Sequence, residues 1–114
     1  MAYADTTKIE VAPSHECVIY IAGDYDDARR ACRDWCDLGG CVSVQRVDYI
    51  YTGGEEAGVS VRLINYPRFP ETEAETMRKA QKLARMLMQQ LHQSSASIVG
   101  PTDTVWLSRR AIHL

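Results

Sequence analysis

The chain has 114 residues, a length that fits one globular domain. Hydrophobic residues make up 46% and charged residues 25%, which excludes disordered, collagen-like and disulfide-dense classes of protein. The 13 basic and 15 acidic side chains give a formal charge of -2, which disfavours a general attraction to nucleic-acid backbones or anionic lipids.

The N-terminal residues 1–8 lack the basic and apolar regions of a secretory signal. The longest apolar stretch, 18–22, is far shorter than the roughly 20 residues that span a bilayer. We therefore predict a soluble, cytoplasmic protein. In that compartment the thiols are expected to stay reduced.

The first half of the chain predicts a strand, a helix and a second strand after an N-terminal arm. Residues 17–22 are β-branched and aromatic, as in a central strand. An amphipathic helix is expected from the acidic run at 24–27 to Gly39 and Gly40. Residues 41–51 predict β2, with a bulge near Gln45 or Arg46 where the alternation changes phase.

The second half predicts a hairpin, a long helix and a final strand. Residues 52–58 are expected to form the turn, and 59–66 the third strand, β3, antiparallel to β2. A helix is predicted over 71–93 and the last strand over 104–108.

This order predicts an α+β fold of the ferredoxin-like βαββαβ type. Its four-stranded antiparallel sheet has the order 4-1-3-2, with both helices on one face. The predicted parts are an N-terminal arm (1–16), one domain (17–110) and a C-terminal tail (111–114).

The face of the sheet without helices is predicted to be too apolar to remain in water. We expect it to bury itself in a homodimer. Its predicted interface residues are Tyr20, Tyr49, Tyr51, Ile64 and Trp106.

Nucleic-acid binding is the less favoured use of the fold. RNA-recognition modules share this topology, but their aromatic motif on the third strand is absent here. Nucleic-acid binding stays an alternative because one side of the long helix is basic. Its side chains are Arg78, Lys79, Lys82 and Arg85.

Neither the cysteines nor the histidines predict a metal site, and no cofactor is predicted. Cys32 and Cys36 lie on the apolar stripe of the first helix, where thiols act as small hydrophobic groups. The remaining thiols, Cys17 and Cys41, are likewise assigned to packing. His15, His92 and His113 show no spacing that indicates joint ligation.

Two loops are the candidate binding sites. The turn between β2 and β3 carries Gly53, Gly54, Glu55 and Glu56. The loop after β3 carries Asn65, Tyr66, Arg68 and Phe69 between two prolines, and Arg62 precedes it on the strand. Arg68 could grip a carboxylate or a phosphate beside an aromatic ring, or it could be solvated while Phe69 packs on the helix.

The segments 18–24, 49–59 and 63–70 resemble small uncharacterised proteins encoded by bacteriophages and prophages of proteobacteria. The similarity covers most of the chain and carries over no catalytic residue. It implies expression in a bacterial cytoplasm and a role in the interplay of phage and host.

No arrangement of side chains indicates nucleophilic or acid–base catalysis. We therefore predict a non-enzymatic phage accessory protein that binds a host protein or a small ligand through the β2–β3 hairpin and the loop after β3. The alternative is a sensor or an enzyme that takes an anionic ligand or a nucleotide at a dimer cleft.

Overall fold

Two helices and five strands form an α+β fold in residues 4–110, which the computed structural model describes. The predicted tail at 111–114, with His113, lies outside the described residues. The elements in chain order are β1 (Glu16–Ala22), α1 (Tyr25–Asp37), β2 (Ser43–Tyr51), β3 (Gly54–Ile64), α2 (Glu73–Gln90), β4 (Ser95–Val99) and β5 (Thr104–Ser108).

All five strands join one antiparallel sheet in the order β2-β3-β1-β4-β5. The α+β class, the two helices and the antiparallel sheet are confirmed, but the prediction of four strands is wrong. The strand Ser95–Val99 was missed because serine and alanine fill three of its five positions and carry little β propensity. Ala96 and Ile98 nevertheless alternate into the core.

The β2–β3 hairpin is longer and tighter than predicted. Its residues pair one to one from Ser43 with Arg62 to Tyr51 with Gly54, so the predicted bulge near Gln45 or Arg46 is absent from the ladder. The expected long turn at 52–58 is also wrong. Aromatic rings cover the glycines of β3: a Cβ on Gly58 would lie 2.4 Å from the Tyr49 ring. This cover lets a glycine-containing segment continue as strand.

Each helix begins at a side-chain cap. Asp24 accepts a hydrogen bond from the Asp27 backbone N–H at 3.0 Å, and Thr72 accepts one from the Glu75 N–H at 3.1 Å. Because Thr72 is the cap, α2 begins two residues later than predicted, and Glu71 lies outside the helix.

The core lies between the helices and one face of the sheet. Ile19, Val59 and Val61 are fully buried there against Leu83 and Leu87 of α2. The opposite face is only partly covered, and Trp106 is 60% exposed on it. Neither helix is long and apolar enough to cross a bilayer.

Candidate functional site

A cleft of about 520 Å³ opens where α1 ends, β3 ends and α2 begins. This volume falls within the usual range of small-molecule sites. Its walls are mainly apolar and aromatic, with one carboxylate and one ammonium group. The lining residues are Trp35, Leu38, Gly39, Gly40, Cys41, Leu63, Ile64, Tyr66, Phe69, Glu71, Thr76 and Lys79.

One wall is formed by the last turn of α1 and the loop that follows it. Gly40 has a φ of +149°, and a Cβ there would meet the Trp35 ring at 2.6 Å. Only glycine therefore lets the backbone lie against the indole. This contact fixes Trp35 as a flat surface beside the cleft.

The opposite wall is the loop after β3, which is held by the buried side chain of Asn65. Its Nδ2 donates to the Pro13 carbonyl oxygen at 2.8 Å, and its Oδ1 accepts from the Glu71 N–H at 2.7 Å. The Asn65 backbone N–H donates to the His15 carbonyl oxygen at 3.0 Å. Asn65 thus ties the N-terminal segment to the start of α2 and sets the position of Glu71.

Glu71 is the polar centre of the cleft. Its carboxylate forms an ion pair with Lys79 and lies 3.4 Å from the Thr76 hydroxyl, which is itself 3.0 Å from Nε2 of His15. The Glu71 side chain is 21% exposed and that of Lys79 is 45% exposed. Both remain within reach of a ligand, and the pair presents opposite charges side by side.

Tyr66 and Cys41 meet across the cleft. The Cys41 thiol donates to the Tyr66 hydroxyl at 3.3 Å. The neighbouring Cys41 sulfur, which favours the protonated phenol, and burial to a lesser degree raise the pKa of Tyr66. The phenol is therefore protonated at neutral pH and offers an O–H donor rather than a base.

Three of the predicted residues meet at the cleft. Tyr66 and Phe69 line it, as does Ile64, which was assigned to a dimer interface. Asn65 lies behind the wall, buried, so it acts as a brace instead of a ligand-binding group.

The hairpin residues Gly53, Gly54, Glu55 and Glu56 lie at the other end of β3. Ten residue steps separate Gly54 from Ile64, which is about 33 Å along a strand. The hairpin and the loop after β3 therefore lie at opposite ends of the strand, and the part of the hairpin in binding stays a prediction.

The two predicted arginines do not line the cleft. Arg68 is exposed, with its guanidinium 5.3 Å from the centre of the Phe69 ring. Arg62 lies on the open face of the sheet, where it pairs with Glu16 at 3.2 Å.

The remaining predicted interface residues are spread over the open face. Tyr20, Tyr51 and Trp106 are exposed, whereas Tyr49 is half-buried and donates its hydroxyl to the Val59 carbonyl oxygen at 2.6 Å. Homodimerisation through this face stays a prediction.

Sequence reasoning missed Trp35, Glu71, Thr76 and Lys79. A signal for Glu71 was present: Thr72 and Glu75 form the capping pattern that starts a helix. Placing the cap at Thr72 leaves Glu71 in the loop, free to face the cleft. Within 4–110, no group of three or more His, Cys, Asp or Glu side chains is arranged to hold a metal ion.

Solved structures share this fold over almost the full chain. A phage SAM lyase in complex with S-methyl-5'-thioadenosine matches with a TM-score of 0.58 and 14% identity, covering 91% of this chain and 96% of that one. A phage SAM lyase in the apo state matches with a TM-score of 0.56 and 16% identity, covering 87% and 92%. No protein-family model and no curated protein matches the sequence.

These likenesses correct the main functional prediction. The prediction of a non-enzymatic protein is contradicted, because both matched structures with this fold are enzymes. The alternative, a small-molecule sensor or enzyme, agrees better. The phage source of both neighbours agrees with the context that the sequence resemblance implied.

Proposed function

We propose that this chain is a lyase that cleaves S-adenosylmethionine and releases S-methyl-5'-thioadenosine from the cleft around Glu71. The observation that carries the proposal is the fold, which matches a SAM lyase holding that nucleoside over 91% of this chain. The make-up of the cleft supports it independently.

The aromatic walls suit an adenine base. Trp35, Tyr66 and Phe69 provide flat surfaces around a cleft of about 520 Å³. Stacking of a base on such a ring contributes about 1–3 kcal/mol. Leu63 and Ile64 supply apolar surface for the methylthio group.

The ion pair suits the charged part of the substrate. S-adenosylmethionine carries a sulfonium cation and a zwitterionic amino acid, whereas the nucleoside product is neutral at sulfur. The Glu71 carboxylate attracts the sulfonium, and Lys79 attracts the substrate carboxylate. Loss of the charge on cleavage weakens the attraction to Glu71 and favours release of the product.

The apolar walls favour the reaction itself. When the bond between sulfur and the methionine carbon breaks, its electron pair stays on sulfur and the positive charge disappears. A lyase adds no water, so the nucleophile is the substrate's own carboxylate: one of its oxygens bonds to the carbon that loses sulfur, and the four-carbon fragment leaves as a lactone. Charge is dispersed in the transition state, and apolar walls stabilise it relative to the bound cation more than water does.

The test is to incubate the purified chain with S-adenosylmethionine and follow S-methyl-5'-thioadenosine by liquid chromatography and mass spectrometry. We expect product from the native chain and a loss of about 100-fold in kcat/KM for Glu71→Gln, about 2.7 kcal/mol. Glu73→Gln is the matched control, because Glu73 is an exposed carboxylate in the first turn of α2 outside the cleft.

Binding separates the remaining outcomes. If S-methyl-5'-thioadenosine raises the melting temperature of the chain but no substrate is cleaved, the lyase proposal fails and the site is that of a sensor. If neither binding nor cleavage occurs, the shared fold serves another purpose and the proposal is wrong altogether.

A further inference from the structure

Charge is distributed unevenly along this chain. Residues 76–110 carry six Lys and Arg side chains and one Asp, whereas residues 4–75 carry seven Lys and Arg side chains and fourteen Asp and Glu. Residues 76–110 form most of α2 and all of β4 and β5, which lie together at one edge of the sheet, and α2 packs against β4. The net charge of -2 therefore hides a basic side of the folded molecule.

Three cations form a row on α2. Arg78, Lys82 and Arg85 are exposed and follow one another at intervals of four and three residues, so they lie on one face of the helix. At a rise of about 1.5 Å per residue, the row is about 10.5 Å long. Lys79 does not belong to it, because its side chain pairs with Glu71 in the cleft.

A groove of about 380 Å³ continues the row between α2 and the end of β5. The residues that line it are Arg85, Met88, Gln89, Leu107, Ser108 and Arg109. Two of these residues are arginines and none is acidic. We call Arg78, Lys82, Arg85 and Arg109 the basic surface.

Arg109 is held in place by the turn after α2. Its backbone N–H donates to the Ser94 carbonyl oxygen at 2.7 Å, and its Nη2 donates to the Gln93 carbonyl oxygen at 2.9 Å. A guanidinium has five N–H groups, so Arg109 can bind an anion without giving up this hydrogen bond. Within residues 4–110, no ion pair neutralises a cation of the basic surface.

We propose that the basic surface binds the phosphate backbone of double-stranded nucleic acid, at a site separate from the cleft. A row of cations without carboxylates between them matches a ligand whose charges all have one sign and follow a line. Duplex DNA carries one negative charge per about 1.7 Å of its axis, so about six phosphates lie within the length of the row on α2. The groove beside β5 adds Arg109 as a further phosphate contact.

The acidic side of a second copy is a poorer match for this surface. That side carries both signs of charge, since α1 mixes four carboxylates with three arginines. One of these arginines, Arg30, already pairs with Asp27. A contact between copies would therefore bring some arginines of α1 against the cations of the basic surface.

A single strand of nucleic acid is also a poorer match. Proteins that bind single strands stack the bases on aromatic side chains, in addition to holding the phosphates. The apolar residues that line the groove are Met88 and Leu107, and neither is aromatic. A duplex keeps its bases stacked within itself and needs only phosphate contacts.

The test is to titrate a fluorescein-labelled DNA duplex with the full chain and to follow fluorescence anisotropy over a range of salt concentrations. Four phosphate contacts predict a slope of about -3.6 for the logarithm of the association constant against the logarithm of the salt concentration. A fourfold rise in salt should therefore weaken binding about 150-fold. Arg85→Gln should weaken binding at low salt and reduce the slope to about -2.7.

Arg29→Gln is the matched control. Arg29 is an exposed arginine of α1, outside the basic surface, so its replacement changes the net charge by the same amount as Arg85→Gln. We expect it to leave the slope and the affinity unchanged. Lys82→Gln, in the same row as Arg85, should reproduce the effect of Arg85→Gln. All three side chains are exposed, so none of these changes should unfold the chain.

Four results would overturn the proposal. The first is the absence of binding at low salt, and the second is an equal loss of affinity in Arg29→Gln and Arg85→Gln, which would show a general attraction instead of a site. The third is tighter binding of a single strand than of a duplex of the same length. The fourth is an oligomer, detected by light scattering, that is lost in Arg85→Gln, which would assign the basic surface to contacts between copies. None of these measurements involves S-adenosylmethionine, so this inference stands or falls apart from the proposed function.

Discussion

The two ends of β3 differ in what surrounds them. At the hairpin end, β2 and β3 extend as two strands, and Ile50 is 78% exposed. At the other end, α1, α2 and the N-terminal segment converge on Ile64 and enclose a cleft. Both ends carry glycines or prolines and charged side chains in the sequence. Only the end where several elements meet holds charged groups against apolar walls, which is what a binding site requires.

The largest expected effect is at Asn65. Asn65→Ala removes the hydrogen bonds to Pro13 and Glu71 and leaves two part-buried backbone groups without these partners. We expect the free energy of unfolding to fall by about 3 kcal/mol, measured by urea denaturation. Glu55→Ala at the exposed hairpin end should change it by less than about 0.5 kcal/mol. Equal losses of stability at the two positions would contradict the conclusion that the two ends of β3 differ in how tightly they are held.

Two glycines with positive φ, Gly40 in the cleft wall and Gly53 in the hairpin turn, should differ in how well they tolerate alanine. Gly40→Ala places a methyl group against the Trp35 ring, whereas Gly53→Ala, with a φ of +86°, meets nothing within 4 Å. We expect a loss of about 2–3 kcal/mol for Gly40→Ala and about 1 kcal/mol for Gly53→Ala, since the second carries backbone strain alone. Thermal unfolding of both variants measures the difference, and a larger loss at Gly53 would show that the cleft wall is loose.

Two exposed apolar side chains, Phe69 beside the cleft and Ile50 in the hairpin, test which end of β3 binds the ligand. Phe69→Ala should weaken the affinity for S-methyl-5'-thioadenosine about 10-fold, about 1.4 kcal/mol, through loss of stacking. Ile50→Ala removes a side chain that is also mostly exposed and should leave the affinity unchanged. Isothermal titration calorimetry distinguishes them. An effect of Ile50→Ala as large as that of Phe69→Ala would move the site to the hairpin.

The smallest expected effect concerns Tyr49, in the middle of the hairpin. Burial raises its pKa to about 12, so the folded state holds the phenol proton more tightly than the unfolded chain, where the pKa is near 10. This contribution to stability is complete below pH 10 and is lost as the pH rises from 10 to 12. Tyr49→Phe should flatten the decline in urea stability over that window. An unchanged decline in stability would show that other groups, such as Cys32, cause it.

The sequence predicted the elements that depend on local patterns. The apolar run of β1 and the acidic start of α1 are each visible in a single stretch of chain, and both appear where expected, with Asp24 as the cap. The strand Ser95–Val99 was missed, because only its pairing with β1 makes a serine-rich segment a strand. The cleft was predicted in part, since the sequence pointed to Tyr66 and Phe69 as site residues. Trp35 and Lys79 were missed because tertiary contacts, which no local pattern encodes, bring them to the cleft.

The brace formed by Asn65 has a consequence for how the cleft comes into being. It joins Pro13 to Glu71, which are 58 positions apart in the chain, and Trp35 closes the cleft from a third stretch. Contacts between such distant segments form after the loops between them have closed. A nascent or partly unfolded chain therefore lacks the cleft, even where its helices and hairpin have formed. Occupancy of the cleft by a ligand is thus a measure of completed folding.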